Sequence, residues 1–588
     1  MRDADADVID EYKTGVPLGI LHELPRQPRI FEEKTNWKLS LDPLDVPCSE
    51  NDNYQSLWEH TGTVREQFRA EQAEGMMVEM SDECFFEKYG DNIAISALAA
   101  LQEADKVRVL LDASHITMVN HRIHCPDQLA TPGVREKHTL LREFKDKGLH
   151  PVALLGDVSK AHRRYKRRDD ETGFLACRLE PGKVWVHLVG TFGVACTAYW
   201  WSRLMGIIAR VTYGLLGDKH PLELLVYVDD LEFMAANKQE RLAVTLAVFY
   251  MKLLGLPFKT AKFRGGWEVE WIGLFTNYKT YAMGLSPNRT KWLVDWIDRV
   301  KSGATVSLAD VERGIGRINF AVTALVYEKP FLGPLYMWLC AIRKEPRKTY
   351  TAPWAVRIIL TWIKQRLLAT DALQIVPELK ESQGEWFRSD AKAEEGLAVI
   401  GGWECLNNTP PKKARWFSIR VEEAWAPWVF AKANDPKRVI ASLELLGTIL
   451  CLIYFGDRIN SDKLGTIAIT GSTDNQGNAY VAQKLLSTKW PLTISLMELV
   501  EQMRCRKVEL YLQWVQRDSN VEADALTNDD YSAFEPCNRV EIDGSKIPWA
   551  VLPLVMAESQ LVYEDMVRVR ERPCKRQGPK ARKSDDPW

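Results

Sequence analysis

The chain has 588 residues, which is too many for one compact domain and predicts about three to five units of roughly 100–200 residues each. A composition of 46% hydrophobic and 27% charged residues is typical of globular proteins and excludes wholesale disorder. The 77 Lys and Arg residues nearly balance the 79 Asp and Glu residues, giving a net charge of −2, which does not exclude nucleic-acid partners because they bind local patches of charge.

Cysteine usage and the N-terminal residues bear on the cellular compartment. The 11 cysteines form no C-x-x-C pair and no closely spaced framework, which is typical of unpaired thiols in a reducing compartment. The first residues are acidic and lack an apolar segment, so no signal peptide is predicted. No run of 18 consecutive apolar residues occurs, so we expect an intracellular protein, cytoplasmic or nuclear, with no membrane partner.

In chain order, residues 1–84 mix acidic runs with prolines and are predicted to form an extended, partly ordered leader. Beyond residue 85, apolar runs and alternating patterns predict regular secondary structure. The predicted strands are 107–111, 151–156, 183–189 and 224–228, and the predicted helices are 194–215 and 242–254.

The second half of the chain changes from helical to mixed patterns. Residues 285–370 are predicted to be helical, and a polar break near Gly384 precedes a βαβ-like region that runs to about residue 530. Residues 533–588 are expected to form a C-terminal extension, in which the tail from Met566 to Lys583 holds eight Lys and Arg residues against one Glu. This tail is interpreted as a nuclear signal, an RNA-binding arm or a solvated terminus, and we favour the last.

Aspartates follow two of the predicted strands. Asp229 and Asp230 come at the end of the apolar run 224–228, and Asp157 comes after the run 154–156. Adjacent carboxylates raise each other's ionisation cost, and a divalent cation removes that cost. Because Asp is also a favoured turn residue, a β-hairpin turn is the alternative interpretation of the pair. Two strands that each present aspartates at their C-terminal ends would share one metal site on a sheet surface.

Three short motifs, taken in order, resemble the palm of reverse transcriptases. They are Asp157 with Ala161 (motif A), Phe192-Gly193 before a helix (motif B) and Tyr227-Val228-Asp229-Asp230 (motif C). The Phe-Gly pair is similar to that of gypsy-type or DIRS-type retrotransposons. The resemblance implies a right-hand polymerase, with fingers and palm at 85–277 and a helical thumb and connection at 278–383.

The resemblance also implies a chemistry for this first site. Two Mg²⁺ ions, with Mn²⁺ as a substitute, would stabilise the attacking primer 3′-hydroxyl and the leaving pyrophosphate. Asp157 and Asp229 are the expected bridging ligands, with support from Asp230 and from the Val158 carbonyl oxygen. The implied partners are an RNA template, a DNA primer and dNTPs.

Candidate substrate-binding residues follow from the same resemblance. Arg108, with Lys106 beside it, lies in a segment similar to the fingers strand that holds the incoming triphosphate, where a guanidinium would clamp phosphate oxygens. Phe192 and Gly193 would line the substrate-binding site, since a glycine lets the substrate approach the backbone closely. Lys262 lies in a segment similar to motif D, and residues 271–273 resemble the primer-grip turn of motif E.

The sequence departs from the family pattern at the gate against ribose. The position five residues after the motif A aspartate is usually Phe or Tyr, and here it is His162. Its flat ring would exclude a 2′-hydroxyl by bulk, but it can also form a hydrogen bond with one. The basic run 163–168 that follows is either a solvated face or a contact with the phosphates of template, primer or nucleotide.

Four acids in the C-terminal region form a second set. Asp390 is predicted to end a strand, Glu444 to lie on a helix and Asp474 to follow a strand, and Asp524 lies in the segment 518–526. The combination resembles the ribonuclease H (RNase H) fold, in which four carboxylates hold two metal ions that activate water against an RNA phosphodiester. The resemblance covers about residues 384–532 and implies an RNase H-like α/β domain that acts on RNA–DNA hybrids. The histidine that precedes the last motif in many RNases H has no counterpart here.

The order of polymerase, thumb and RNase H therefore resembles a retrotransposon reverse transcriptase, and the expected fold is a mixed α/β and α+β multidomain chain. Two alternatives stay open. A polymerase without RNase H, such as a telomerase or group II intron enzyme, is opposed by the four C-terminal acids. A domesticated or decayed remnant that binds nucleic acid without catalysis is opposed, but not excluded, by the seven intact acids.

Overall fold

The computed structural model describes residues 3–103, 106–344, 347–376, 384–430, 434–456 and 466–553. The basic tail from Met566 to Lys583, and most of the polar break before Gly384, lie outside these residues. The described chain forms two compact units, called here the N-terminal unit (3–137 and 149–272) and the C-terminal unit (138–148 and 273–553). Both units contain helices and strands, in agreement with the predicted mixed α/β multidomain class.

The first 272 residues contain seven α-helices and twelve strands among those described. The helices are α1 (Ile9–Thr14), α2 (Gln55–Trp58), α3 (Thr61–Ala73), α4 (Asp82–Tyr89), α5 (Val134–Asp146), α6 (Thr197–Leu216) and α7 (Lys238–Leu253). The strands are β1 (Glu32–Glu33), β2 (Met77–Ser81), β3 (Ala97–Gln102), β4 (Val107–Asp112), β5 (Asp127–Gln128), β6 (Val152–Asp157), β7 (Ala176–Glu180), β8 (Lys183–His187), β9 (Glu223–Tyr227), β10 (Asp230–Ala235), β11 (Arg264–Gly266) and β12 (Glu268–Trp271).

The rest of the described chain contains nine α-helices and eight strands. The helices are α8 (Pro287–Lys301), α9 (Leu308–Ala324), α10 (Leu332–Ile342), α11 (Trp354–Ala369), α12 (Pro427–Phe430), α13 (Ile440–Phe455), α14 (Gln476–Lys484), α15 (Leu492–Arg506) and α16 (Val521–Thr527). The strands are β13 (Leu274–Asn277), β14 (Ala282–Gly284), β15 (Leu373–Ile375), β16 (Glu385–Glu394), β17 (Leu397–Glu404), β18 (Trp416–Arg420), β19 (Ile467–Thr473) and β20 (Val508–Trp514).

A four-stranded antiparallel sheet, in the order β11-β6-β10-β9, carries the aspartates of the N-terminal unit. Its central strand β10 is buried from Leu231 to Ala235, because helix α7 packs against it. The predicted strands at 151–156 and 224–228 and the predicted helices at 194–215 and 242–254 all have counterparts here, in β6, β9, α6 and α7. Helix α7 ends where Gly255 adopts a φ of +90°, a conformation that favours glycine.

The first 84 residues differ from the extended leader that the sequence predicts. They contain helices α1 to α3 and strand β2, which pairs with β8. Eight of their apolar side chains are buried in the core of the N-terminal unit: Val8, Val16, Leu18, Leu24, Leu57, Val64, Phe68 and Met77. The segment is therefore part of the folded unit.

A buried carboxylate fixes the start of this segment. The fully buried Glu171 accepts hydrogen bonds from the backbone N–H groups of Leu18 (2.6 Å), Ile20 (3.0 Å) and Leu21 (2.8 Å). Three backbone donors compensate the cost of burying the charge. The order of this segment thus depends on a residue about 150 positions away, which local sequence patterns do not reveal.

A five-stranded mixed sheet, in the order β18-β17-β16-β19-β20, forms the centre of the C-terminal unit. Strands β16, β17 and β18 are antiparallel, whereas β19 runs parallel to both β16 and β20. Helix α13 lies close to β16 at Gly447, where an added Cβ would come 3.1 Å from the Ser389 side chain. The segment Pro436–Phe455, which contains α13, is long and apolar enough to span a membrane, but 67% of it is buried inside the protein, as expected for a core helix.

The helices at 287–369, which agree with the predicted helical region, share one hydrophobic core with this sheet. The core includes Trp296, Leu335 and Ile359 from the helices together with Ile400 and Leu446 from the sheet region. Residues 550–552 are also fixed to the unit, because the buried Glu498 accepts hydrogen bonds from all three of their backbone N–H groups at 2.6–3.1 Å. The C-terminal unit therefore includes parts of the chain that come before and after the five strands of the sheet.

Candidate active sites

Three aspartates meet at one end of the sheet in the N-terminal unit. Asp157 is the last residue of β6, and strand pairing places it opposite Asp230, the first residue of β10. Asp229 lies in the turn between β9 and β10, and its carbonyl accepts a hydrogen bond from the Val158 N–H (3.0 Å). The sequence therefore predicted both the strand–turn–strand arrangement and the meeting of Asp157 with the pair. Val158, the fourth predicted ligand, is fully buried beside them.

The turn that carries Asp229 adopts an uncommon conformation. Val228 has a φ of +55°, a value that a β-branched residue rarely adopts. The buried Trp201 donates its indole N–H to the Val228 carbonyl oxygen (2.8 Å), and this contact holds the turn. Strain of this kind is typical of functional sites.

Two lysines compensate the charge of this first site. Asp157 accepts a hydrogen bond from Lys259 (2.7 Å) and lies 3.4 Å from the ammonium group of Lys262. Partial burial, together with the charges of Asp229 and Asp157, raises the pKa of Asp230 to about 6. Lys259 and Lys262 both belong to the segment that resembles motif D, and Lys262 was predicted to bind substrate. The contact of either lysine with Asp157 was not predicted. Bound divalent cations would take the place of the lysine charges, because carboxylate oxygens are ligands that such cations prefer.

His162 lies near Asp229, whose charge acts on its imidazole, and it contacts Phe192, which precedes Gly193 in the chain. The His162 ring is buried and packs edge-on against Phe192 (4.9 Å between ring centroids), and burial lowers its pKa, so the ring is neutral at pH 7. Phe192 is 55% exposed. Gly193 has a φ of +93°, and an added Cβ would overlap the Leu111 carbonyl oxygen. The need for glycine here comes from this protein contact, in addition to any approach by a substrate.

Lys106 and Arg108 lie on the hairpin formed by β3 and β4. Both pair with Glu103, at 3.5 Å for Lys106 and 3.0 Å for Arg108, and about half of each side chain is exposed. The structure thus places them at a hairpin tip, where the guanidinium and ammonium groups are open to solvent. Their predicted contact with a triphosphate stays a prediction.

The basic run 163–168 is neither a uniform solvated face nor a uniform phosphate-binding patch. Arg163 and Arg167 are buried, where Arg163 contacts His187 (2.9 Å) and Arg167 donates to a backbone carbonyl of the N-terminal segment (3.2 Å). Only Arg164 and Lys166 are exposed. Both interpretations of the sequence treated the run as one surface, whereas Arg163 and Arg167 are part of the protein interior.

Three acids of the second set come together in the C-terminal unit. One carboxylate oxygen from each of Asp390, Glu444 and Asp474 lies within 4.8 Å of the others, the only such group of three among the described residues. Glu444 lies on α13, and Asp474 directly follows β19, as predicted. Asp390 was predicted to end a strand, which is wrong, since it lies in the middle of β16 opposite Gly401 of β17.

The electrostatics of this cluster favour a bound cation. Burial and the charges of Asp474 and Asp524 raise the pKa of Asp390 to about 6, and burial with the charges of Asp390 and Asp474 holds the pKa of Glu444 well above its ordinary value. The Glu444 Oε2 atom is buried and has no hydrogen-bond partner in the described part of the chain. Hard oxygen donors at this spacing, one of them unpartnered, fit Mg²⁺ or Mn²⁺.

Asp524 lies beside the three. Its carboxylate accepts a hydrogen bond from Asn528 (3.1 Å) and lies 3.5 Å from the Arg517 guanidinium. On the same short helix, α16, Thr527 donates to the Asp390 carboxylate (3.3 Å). All four predicted acids thus belong to one neighbourhood, with Asp524 at its edge.

Two buried asparagines that support this site were not predicted. Asn520 donates to the Ser389 carbonyl oxygen (3.2 Å), next to Asp390 in the chain. Asn478 donates to the Ala441 carbonyl oxygen (2.8 Å) and so links α14 to the start of α13. Both lie in the polar segments around the acids, but only the folded chain reveals that they are buried and bind the backbone.

No family model and no curated protein matches the chain. Three solved structures of a foamy viral protease-reverse transcriptase are similar to 87% of it, at 13–14% sequence identity. A form labelled dRH in complex with double-stranded DNA has a TM-score of 0.43 over 78% of its own chain. The complex with an RNA/DNA hybrid has 0.44 over 60%, and another with double-stranded DNA has 0.41 over 93%. Because these TM-scores are low, the function is inferred from the two acidic sites and the sequence motifs.

Proposed function

We propose that the chain is an RNA-directed DNA polymerase of a gypsy-type or DIRS-type retrotransposon, with a second site that cleaves RNA in RNA–DNA hybrids. The observation that carries the proposal is the presence of two separate acidic sites. One is formed by aspartates at paired strand ends in the N-terminal unit, and the other by clustered carboxylates in the C-terminal unit. Sites of both kinds suit the metal-assisted chemistry of phosphodiesters.

In the polymerase site, Asp157, Asp229 and Asp230 would hold two Mg²⁺ ions, for which Mn²⁺ would substitute. Bound metal would stabilise the charge that develops on the attacking 3′-hydroxyl and on the leaving pyrophosphate. Asp230, with its pKa near 6, is mostly ionised at pH 7 and available as a ligand. Lys259 and Lys262 already lie next to Asp157 and would be free to contact phosphates once the carboxylate binds a cation.

In the nuclease site, Asp390, Glu444, Asp474 and Asp524 would hold a second pair of ions. Bound metal would activate water against the RNA strand. The chain's own contribution is a rigid frame, because β16, α13 and β19 each deliver one carboxylate and Gly447 lets α13 approach β16. The unpartnered Glu444 Oε2 atom is the feature that most directly supports a ligand role.

The proposal includes the domain order fingers and palm (85–277), thumb and connection (278–383) and RNase H-like domain (384–532). The RNase H-like assignment is supported by the mixed five-stranded sheet with acids on its central strand and on the adjacent helix. The proposed partners are RNA template, DNA primer, RNA–DNA hybrid and dNTPs. The main competing function is nucleic-acid binding without catalysis.

Primer extension tests the proposal. The unsubstituted chain should extend oligo(dT) on poly(rA) with Mg²⁺, and Asp229→Asn should lower the rate by about three orders of magnitude, because loss of a ligand removes several kcal/mol of transition-state stabilisation. Primer–template binding should persist, since the change acts on the transition state. Asp218→Asn, at an exposed turn of the same unit, is the matched control. Absence of synthesis by the unsubstituted chain would favour binding without catalysis, and full synthesis by Asp229→Asn would refute the site assignment.

A further inference from the structure

Arg517 is a cation at the edge of the acidic nuclease site. It begins a short turn between β20 and α16, and its guanidinium lies 3.5 Å from the Asp524 carboxylate. Its charge also lowers the pKa of Asp474 and of Glu444, against the effect of burial. The side chain is 77% exposed, so it faces both the acids and the solvent.

The backbone around Arg517 is fixed to the two strands that deliver the acids. On one side, the Val515 N–H donates to the carbonyl of Thr473, the residue before Asp474 (3.0 Å). On the other side, two hydrogen bonds join the segment after Arg517 to strand β16. Asn520 donates to the Ser389 carbonyl oxygen (3.2 Å), and Arg388 donates to the Ser519 carbonyl oxygen. The Cα of Arg517 is therefore held in place relative to the metal-binding carboxylates.

In contrast to its backbone, the Arg517 side chain is loosely held. Its contact with Asp524 is long for a charged hydrogen bond, and exposed ion pairs contribute little to stability. Asp524 also does not depend on Arg517 for its orientation, because Asn528 donates to the other carboxylate oxygen (3.1 Å). A long, exposed guanidinium on a fixed backbone is able to exchange one anion for another.

We propose that Arg517 is a positioning residue that binds a phosphate of the RNA strand at the nuclease site. The inference rests on the proposed hybrid cleavage and adds to it a residue that recognises the substrate. A cluster of carboxylates repels a polyanion, and a guanidinium held beside it would attract one. The planar guanidinium binds two phosphate oxygens at once, so Arg517 would leave Asp524 for the phosphate when the hybrid binds. Arg517 is not itself a ligand or a proton donor in this proposal.

The chain offers a matched control in Arg420. Like Arg517 it is an exposed arginine of the C-terminal unit, 66% exposed, and it pairs with an aspartate, Asp529 (3.2 Å). Asp529 is not one of the four clustered acids. A role limited to surface ion pairing would give similar results at both positions, whereas a phosphate contact would distinguish them.

The experiment measures kcat/KM for cleavage of an RNA–DNA hybrid at fixed Mg²⁺ over a range of KCl concentrations. Because Arg517→Gln removes one phosphate contact, it should lower kcat/KM about tenfold at low salt, mainly through a higher KM. The slope of log kcat/KM against log [KCl] should become shallower by about 0.9. Arg517→Lys keeps the charge without the planar group, so it should retain the slope but recover only part of the rate. Arg420→Gln should match the unsubstituted chain.

The unfolding midpoint of each preparation reports the integrity of the C-terminal unit, and primer extension reports that of the polymerase site. Normal cleavage and an unchanged salt slope in Arg517→Gln would overturn the inference and leave hybrid cleavage intact. Reduced cleavage with an unchanged slope and a lower unfolding midpoint would also overturn it, since the role would then be structural. Absence of hybrid cleavage by an unsubstituted chain that extends primers would overturn the proposed nuclease function, and this inference with it.

Discussion

At the scale of single residues, His162 combines burial with contact to an exposed ring. Its imidazole packs edge-on against Phe192, and burial keeps the ring neutral by lowering its pKa. A bulky neutral ring near Asp229 would exclude a ribose 2′-hydroxyl by size. We therefore expect His162→Ala to lower the ratio of kcat/KM for dNTPs over rNTPs by about tenfold or more.

Competitive incorporation of dNTPs and rNTPs on one template measures this ratio. His22→Ala removes an imidazole that pairs with Asp170 on the surface of the same unit, and it should leave the ratio unchanged. An unaltered ratio in His162→Ala would place the gate at another residue and would require a different alignment of motif A.

Glu444 and Asp390 make the stability of the C-terminal unit depend on pH. Both carboxyls have a raised pKa in the folded chain, about 6 for Asp390. A raised pKa stabilises the fold below the unfolded pKa near 4, and this stability is lost as the pH rises through the folded pKa. Without metal, Asp390 alone should account for a fall of about 2 kcal/mol in the free energy of unfolding between pH 4 and 7.

The Glu444→Gln substitution tests this pH dependence. In EDTA it should raise the unfolding midpoint relative to the unsubstituted chain, increasingly so as the pH rises, because it removes a buried charge next to Asp390. Mg²⁺ should stabilise the unsubstituted chain more than the variant, and hybrid cleavage should be lost. Unfolding curves at several pH values measure both effects, and Glu394→Gln, at the exposed end of strand β16, is the control. Equal unfolding midpoints for the variant and the unsubstituted chain at every pH would show that the charge of Glu444 does not destabilise the fold.

At the scale of elements, the parts predicted well are those with local signals. The hairpin of β9 and β10 is predicted because an apolar run stops at turn-forming aspartates, and α6 and α7 because their apolar residues have helical length or spacing. Asp390 was misplaced because a carboxylate in mid-strand contradicts the alternating pattern. Its position depends on α13, which becomes adjacent only in the folded chain. The burial of Arg163 and Arg167 was missed because it also depends on neighbours that come together only in the folded chain.

The N-terminal segment is the element whose stability depends most on a distant residue. Glu171→Ala would leave the N–H groups of Leu18, Ile20 and Leu21 without their acceptor. We expect the free energy of unfolding of the N-terminal unit to fall by about 3 kcal/mol or more. Hydrogen exchange at these three amides should speed up together. Asp169→Ala, which removes an exposed ion pair with Lys88, should alter neither quantity. Slow exchange in Glu171→Ala would contradict the proposed anchor.

At the scale of the whole molecule, the two acidic sites belong to different compact units. Neither set of carboxylates is expected to touch the phosphate at which the other set acts. Asp474→Asn should therefore abolish hybrid cleavage while DNA synthesis continues, and Asp229→Asn should do the reverse. Both activities are measured on the same purified preparations. Loss of both in a well-folded Asp474→Asn protein would contradict independent sites and return the C-terminal acids to a structural role.

The hydrophobic core shared by helices α8 to α11 and the five-stranded sheet has an evolutionary consequence. Trp296, Leu335 and Ile359 pack in the same cluster as Ile400 and Leu446, so recombination that exchanged one of the two regions would disrupt packing in the other. A substitution on one side of this core would favour a compensating one on the other side. We expect the helical region and the acidic sheet to have been inherited together, and to diverge in step, across the descendants of a common ancestor.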